Sequence, residues 1–72
     1  MSWSAHANAQ MQFVQQSANA SPAEMGQLLT QMNTWAANNN GNHYIPFSRL
    51  RNHGVSFRVV GGEIVSVEYG DR

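Results

Sequence analysis

The feature that constrains this chain most is an alternating apolar run near its C-terminus, interrupted by two glycines. From Val55 to Tyr69, valine, phenylalanine, isoleucine and tyrosine alternate with polar residues on either side of Gly61-Gly62. Alternation predicts two β-strands, and adjacent glycines predict the tight turn between them. Because an isolated hairpin is marginally stable in water, its apolar face must be covered by the rest of the chain or extended by a further strand.

Two registers are open to this hairpin. A two-residue turn at Gly61-Gly62 pairs Val59 with Ile64 and mixes polar and apolar side chains on both faces. A three-residue loop pairs Val59 with Glu63 and places Ile64 on the polar face with Arg58. It also gathers an apolar face from Val55, Phe57, Val59, Val65, Val67 and Tyr69. A clean apolar face fixes register, so the three-residue loop is expected, with Gly62 in the left-handed conformation.

A helix is predicted over residues of about 22–38. Ser21 can cap it, Pro22 suits its first turn, and Glu24 is placed to bond back to the cap. An apolar stripe of helical period follows, formed by Met25, Leu28, Leu29, Met32, Trp35 and Ala36. This face is expected to cover the hairpin.

A weaker helix is predicted over residues of about 4–19. Its apolar stripe is narrow and rich in alanine, and consists of Trp3, Ala7, Met11, Val14 and Ala18. Such a face buries little area, so this helix needs a partner element, in the same chain or in a second protomer of a homodimer.

Between the second helix and the hairpin, a loop over 38–44 and a short third helix over about 46–53 are expected. Asparagine and glycine favour the loop, Pro46 can begin the short helix, and Gly54 suits the left-handed position after its end. The segment 42–45 is also a candidate third strand. The expected fold is a single α+β domain over 1–72, with a winged-helix-like outline as one version of it.

The composition argues against an enzyme. The chain has no cysteine, no serine in a glycine-flanked elbow, and no pair of carboxylates on one predicted face. Its three histidines, His6, His43 and His53, match no short metal-binding spacing. Neither a cofactor nor a metal is expected.

The expected function is binding to another protein, as an inhibitor, adaptor or assembly subunit of the kind that phage or mobile-element genes encode. Charges are few and balanced, and the candidate contact residues are Trp3, Arg58 and Ile64. No signal sequence or membrane span is apparent, so a cytoplasmic location is expected.

The alternative function is DNA binding by a winged-helix-like dimer. The short third helix and the hairpin would then present Arg49, Arg51, Asn52, His53 and Arg58 to the duplex. Against this stands the charge, because the chain has no lysine and a formal net charge of +0. A neutral protomer gains little affinity from phosphate contacts.

Overall fold

The structure, a computed structural model, describes residues 2–47 and 53–71. In chain order these form β1 (Ser2–Trp3), α1 (Ala5–Ala18), α2 (Pro22–Ala36), β2 (Gly41–Pro46), β3 (His53–Val60) and β4 (Glu63–Asp71). The strands make one mixed sheet in the order β1-β4-β3-β2, with β1 parallel to β4 and the other pairs antiparallel. The chain is therefore α+β, as expected.

Both predicted helices are confirmed, and their side-chain caps set where they begin. The Ser4 hydroxyl accepts a hydrogen bond from the Ala7 N–H (3.0 Å) at the start of α1. At the start of α2, Ser21 and Glu24 form a reciprocal capping box, with bonds of 3.0 and 3.1 Å. Each cap satisfies main-chain donors that have no partner within the helix.

One core lies between the two helices and one face of the sheet. Its buried side chains come from α1 (Ala7, Met11, Val14), α2 (Leu28, Met32, Ala36), β2 (Ile45), β3 (Val55, Phe57, Val59) and β4 (Ile64, Val67). Alternate residues of β3 are exposed on the opposite face. We call that second face, which neither helix covers, the open face.

The expected register of the hairpin is wrong both at its tip and along its strands, where Phe57 pairs with Val67 and Val55 with Tyr69. Val60 pairs with Glu63 and Val59 with Ile64, so the turn has two residues, Gly61 and Gly62, both at positive φ (59° and 78°). After this turn the register shifts by one residue, so that Arg58 pairs with Ser66. A β-bulge thus resolves the conflict: it keeps the favoured glycine turn and still brings apolar residues to one face.

The bulge also changes which of two neighbouring side chains of β4 is buried. Val65 is the extra residue, and it is only half-buried. Ile64 was expected on the polar face but is fully buried, with 0% of its surface exposed. Without the bulge, the side chain of Ile64 and the apolar residues after it would point to opposite faces.

The predicted third strand is confirmed, whereas a helix over 46–53 is wrong at both ends. Pro46 is the last residue of β2 and pairs with Gly54, and His53 is the first residue of β3. Residues 48–52 lie outside the described part of the chain. The expected loop over 38–44 is shorter, since β2 already begins at Gly41.

Gly54 has a different role from the expected helix end. It is a buried strand residue, and its φ is not among the positive values. A Cβ atom there would lie 2.5 Å from the main-chain oxygen of Ile45 and 2.6 Å from the Tyr44 ring. Glycine is needed because β2 and the Tyr44 ring approach the backbone so closely.

The apolar stripe of α2 is narrower than expected. Leu28, Met32 and Ala36 are buried, but Leu29 is 38% exposed and Trp35 is 51% exposed. At about 100° per residue, these two side chains lie at the two borders of the buried stripe. The expectation that both belong to the core is therefore wrong.

Candidate protein-binding surfaces

The three residues proposed for protein binding have separate environments. Trp3 packs against the core, and its Nε1–H donates to the Asn33 Oδ1 (2.9 Å), so it holds β1 against α2. Ile64 is buried and is not available to a partner in this fold. Of the three, only Arg58 is exposed, on the open face of β3.

Of the residues proposed to read DNA, the structure describes His53 and Arg58, and these two do not lie together. His53 lies on the helix-covered face, where its ring is 5.8 Å from that of Tyr69. Arg58 is five residues further along β3 and points to the opposite face. Arg49, Arg51 and Asn52 lie outside the described residues, and the strand positions of Pro46 and His53 do not match the recognition helix of a winged helix.

The open face carries a shallow depression of about 420 Å³, whose lining is polar and apolar in about equal parts. Arg58 and Glu68 provide its charges, and Asn42, Tyr44, Ser56 and Ser66 provide most of the remaining lining. Both signs of charge are present on neighbouring strands, so the depression does not favour an anion or a cation.

β2 is the outermost strand of the sheet on one side, opposite β1. It pairs with β3 over six residues, and among the described residues no strand pairs with its other side. A strand in this position is a ready template for another chain. We call this side of β2 the β2 edge.

Three aromatic rings are in contact with one another in a row from the core toward β2. The His43 ring lies 5.3 Å from Phe57, which is buried, and 5.7 Å from Trp35, which is half-exposed. The Nε2–H of His43 donates to the main-chain oxygen of Asn39 (2.8 Å), which fixes the imidazole between the two rings. The packing thus holds Trp35 in place beside the edge while leaving half of its indole in contact with solvent.

A second concave surface lies between α1 and β4. Gln10, Phe13, Val14 and Ser17 follow one another at i, i+3, i+4 and i+7 on α1, and face Val67, Glu68 and Tyr69 of β4 across a space of about 200 Å³. Phe13 is 68% exposed at its rim. We call this space the α1–β4 groove.

Trp35 and Phe13 were not identified as surface residues from the sequence. Trp35 falls within the helical stripe of α2, so periodicity alone assigns it to the core. Phe13 gives a usable signal, because it is a large aromatic residue that lies off the α1 stripe. An aromatic side chain on the polar side of a helix indicates a contact surface.

The described residues contain no group of three histidine, aspartate or glutamate side chains placed to hold a metal ion. Neither α1 nor α2 is long and apolar enough to cross a membrane. Comparisons of the chain with protein-family models, with curated proteins and with solved structures give no match.

Proposed function

We propose that this domain is a non-enzymatic protein-binding module, and that it captures its partner at the β2 edge with Trp35 as the anchor. The observation that carries the proposal is the half-exposed Trp35 ring, held by His43 beside an outermost strand. Tryptophan is enriched among the residues that dominate binding energy at protein interfaces. An exposed indole that is already ordered loses little side-chain entropy when a partner covers it.

The neighbouring strand supplies the second part of such an interface. An extended segment of a partner can add to β2 through main-chain hydrogen bonds, while Trp35 packs on its side chains. The low charge of the chain, with 4 basic and 4 acidic residues, suits an interface whose centre is apolar. The same geometry allows a second copy of the chain to pair with β2, which would give a homodimer.

DNA binding is the less favoured function. Arg58 and His53 lie on opposite faces of the sheet, and the chain has a formal net charge of +0. A duplex needs a concentrated basic surface, which these two residues do not form.

Affinity capture from the native host tests the proposal with three forms of the full chain: wild type, Trp35→Ala and Val60→Thr. Val60 is a matched control, since it is 52% exposed but lies at the hairpin turn. A partner should be retained by wild type and Val60→Thr. Trp35→Ala should weaken its binding by about 2 kcal/mol, or roughly thirtyfold in Kd.

Circular dichroism and thermal melting must first show that the three forms are equally folded. Equal capture by all three forms would refute the role of Trp35. Sub-micromolar, salt-sensitive binding to duplex DNA would refute the protein-binding function itself. Light scattering of the wild type decides whether the partner is a second copy of the chain.

A further inference from the structure

We infer that the α1–β4 groove binds an extended, cation-bearing peptide segment of a partner protein, which adds as a strand to the outer edge of β4. The inference rests on the proposed protein-binding function but uses a different surface from the β2 edge. Four features support it: the direction of the main-chain groups, the part of the edge already occupied, the shape of the groove and its charge.

The hydrogen-bond pattern shows which main-chain groups of β4 face outward. The Phe47 N–H donates to the His53 oxygen (3.2 Å), which makes these two residues a hydrogen-bonded pair of the β2–β3 ladder. Because donors and acceptors alternate in direction along antiparallel strands, the main chain at Val67 and Tyr69 must point away from β3. The Val67 N–H agrees with this, since it donates to the Gln10 Oε1 of α1 (2.7 Å).

The first half of this outer edge is already occupied. β1 pairs in parallel with the first two residues of β4, and Ser4 Oγ donates to the Val65 oxygen (3.1 Å). Gln10 then takes the N–H of Val67. Beyond it, no described residue bonds to the Val67 oxygen or to the main chain of Tyr69. The outer edge of β4 is therefore paired with β1 at its first residues. Beside the groove, its main-chain groups are open to an added strand.

The groove has the walls that a bound peptide strand needs. One wall is a continuous face of α1, and the other is the open edge of β4. A strand added to β4 would direct alternate side chains toward the helix, where the exposed Phe13 ring offers an apolar contact. The volume of about 200 Å³ is of the size of one or two such side chains.

Charge indicates which peptide is favoured. Among the described residues, Glu68 is the only charged one that lines the groove, and its side chain lies on the open face, where an added strand directs the side chains that point away from α1. In the sequence, β4 contains three of the four acidic residues of the chain, Glu63, Glu68 and Asp71. A lysine or arginine in the bound segment therefore gains a favourable interaction that an acidic segment would lose.

A displayed library of random heptapeptides, selected on the immobilised full chain, provides the probe. Selected peptides should combine apolar residues with lysine or arginine. For a synthetic copy of one such peptide, Phe13→Ala should raise the Kd about tenfold or more, and Glu68→Gln about two- to fivefold. Trp35→Ala should leave this Kd unchanged, because Trp35 lies beside the β2 edge.

Amide hydrogen exchange then reports strand addition directly. The Tyr69 N–H should exchange more slowly in the complex, whereas the Glu68 N–H, which faces β3, should change little. A library without binders would overturn the inference, as would a peptide that binds Phe13→Ala as tightly as wild type or leaves exchange at Tyr69 unchanged. A peptide that depends on Trp35 instead would overturn the groove but support the proposed function at the β2 edge.

Discussion

Ile64→Ala tests the bulged register of the hairpin, because the two possible registers assign opposite environments to this side chain. In the structure Ile64 is fully buried and pairs with Val59, next to the turn. With a three-residue loop it would lie on the open face with Arg58. The substitution should therefore strongly destabilise the domain if the bulge is present, and cost little if it is not.

The expected loss can be worked out from the burial. Replacing isoleucine by alanine removes three carbon atoms, which at about 0.8 kcal/mol for each buried group gives about 2.4 kcal/mol. The cavity left behind adds to this, so the total should be about 2.5–4.5 kcal/mol. A domain of 72 residues has a free energy of unfolding of roughly 4–11 kcal/mol. The variant should then melt at least about 10 °C lower than wild type, or fail to fold.

Urea unfolding, followed by circular dichroism, measures the effect, with Val65→Ala as the control. Val65 is the half-buried extra residue of the bulge, so its truncation should cost about 1 kcal/mol or less. The midpoint for Ile64→Ala should fall much further at an unchanged slope. Equal losses, or a larger loss for Val65→Ala, would refute the bulged register.

Four further substitutions have defined outcomes. Gly54→Ala should destabilise by about 2–3 kcal/mol in a thermal melt, since its Cβ would lie 2.5 Å from a main-chain oxygen; a neutral result would contradict the close approach of β2. Leu28→Ala should cost about 2–5 kcal/mol in urea unfolding, and Leu29→Ala about 1.5 kcal/mol or less, because only Leu28 is fully buried; equal losses would disprove the assigned face. Ser21→Ala should lower stability by about 1 kcal/mol through loss of the capping box, and an unchanged melting temperature would argue against that cap.

The helices were predictable because their signals are local. The Ser21 and Glu24 cap and the proline between them fix the start of α2 within the sequence itself. The buried residues of α1 are likewise the centre of its alanine-rich stripe. The hairpin strands follow from alternation in the same way. Local signals of this kind do not depend on which element packs against which.

The register and the outer strand were not predictable in the same way. A bulge leaves no mark in an alternating pattern, so Ile64 and Val65 exchange faces without any change in local propensity. β1 has two residues and exists only because Trp3 meets Asn33 and the edge of β4. A short helix is expected after β2 because proline and glycine are common at helix ends. In this chain Pro46 and Gly54 instead pair with each other across two strands.

The candidate surfaces show the same division between local and tertiary information. Trp35 fits the helical stripe of α2, and only the packed fold shows that it lies at the flank, beside His43 and outside the core. The sequence shows how wide the apolar stripe of a helix is. The element that packs against the helix determines how much of that stripe is buried. The burial of Trp3 and Ile64 also depends on tertiary contacts, since these partly cover Trp3 and completely cover Ile64.

Site-specific photo-crosslinking from the β2 edge tests the proposed function most directly. A photoreactive amino acid at Asn42, an exposed residue of the outermost strand, would be introduced into the full chain in cells of the native host. The proposal predicts a discrete polypeptide adduct, identified by mass spectrometry, that is lost when Trp35→Ala is added and retained when Val60→Thr is added. The absence of a polypeptide adduct at Asn42, or a nucleic-acid adduct from the same reagent placed at Arg58, would contradict it.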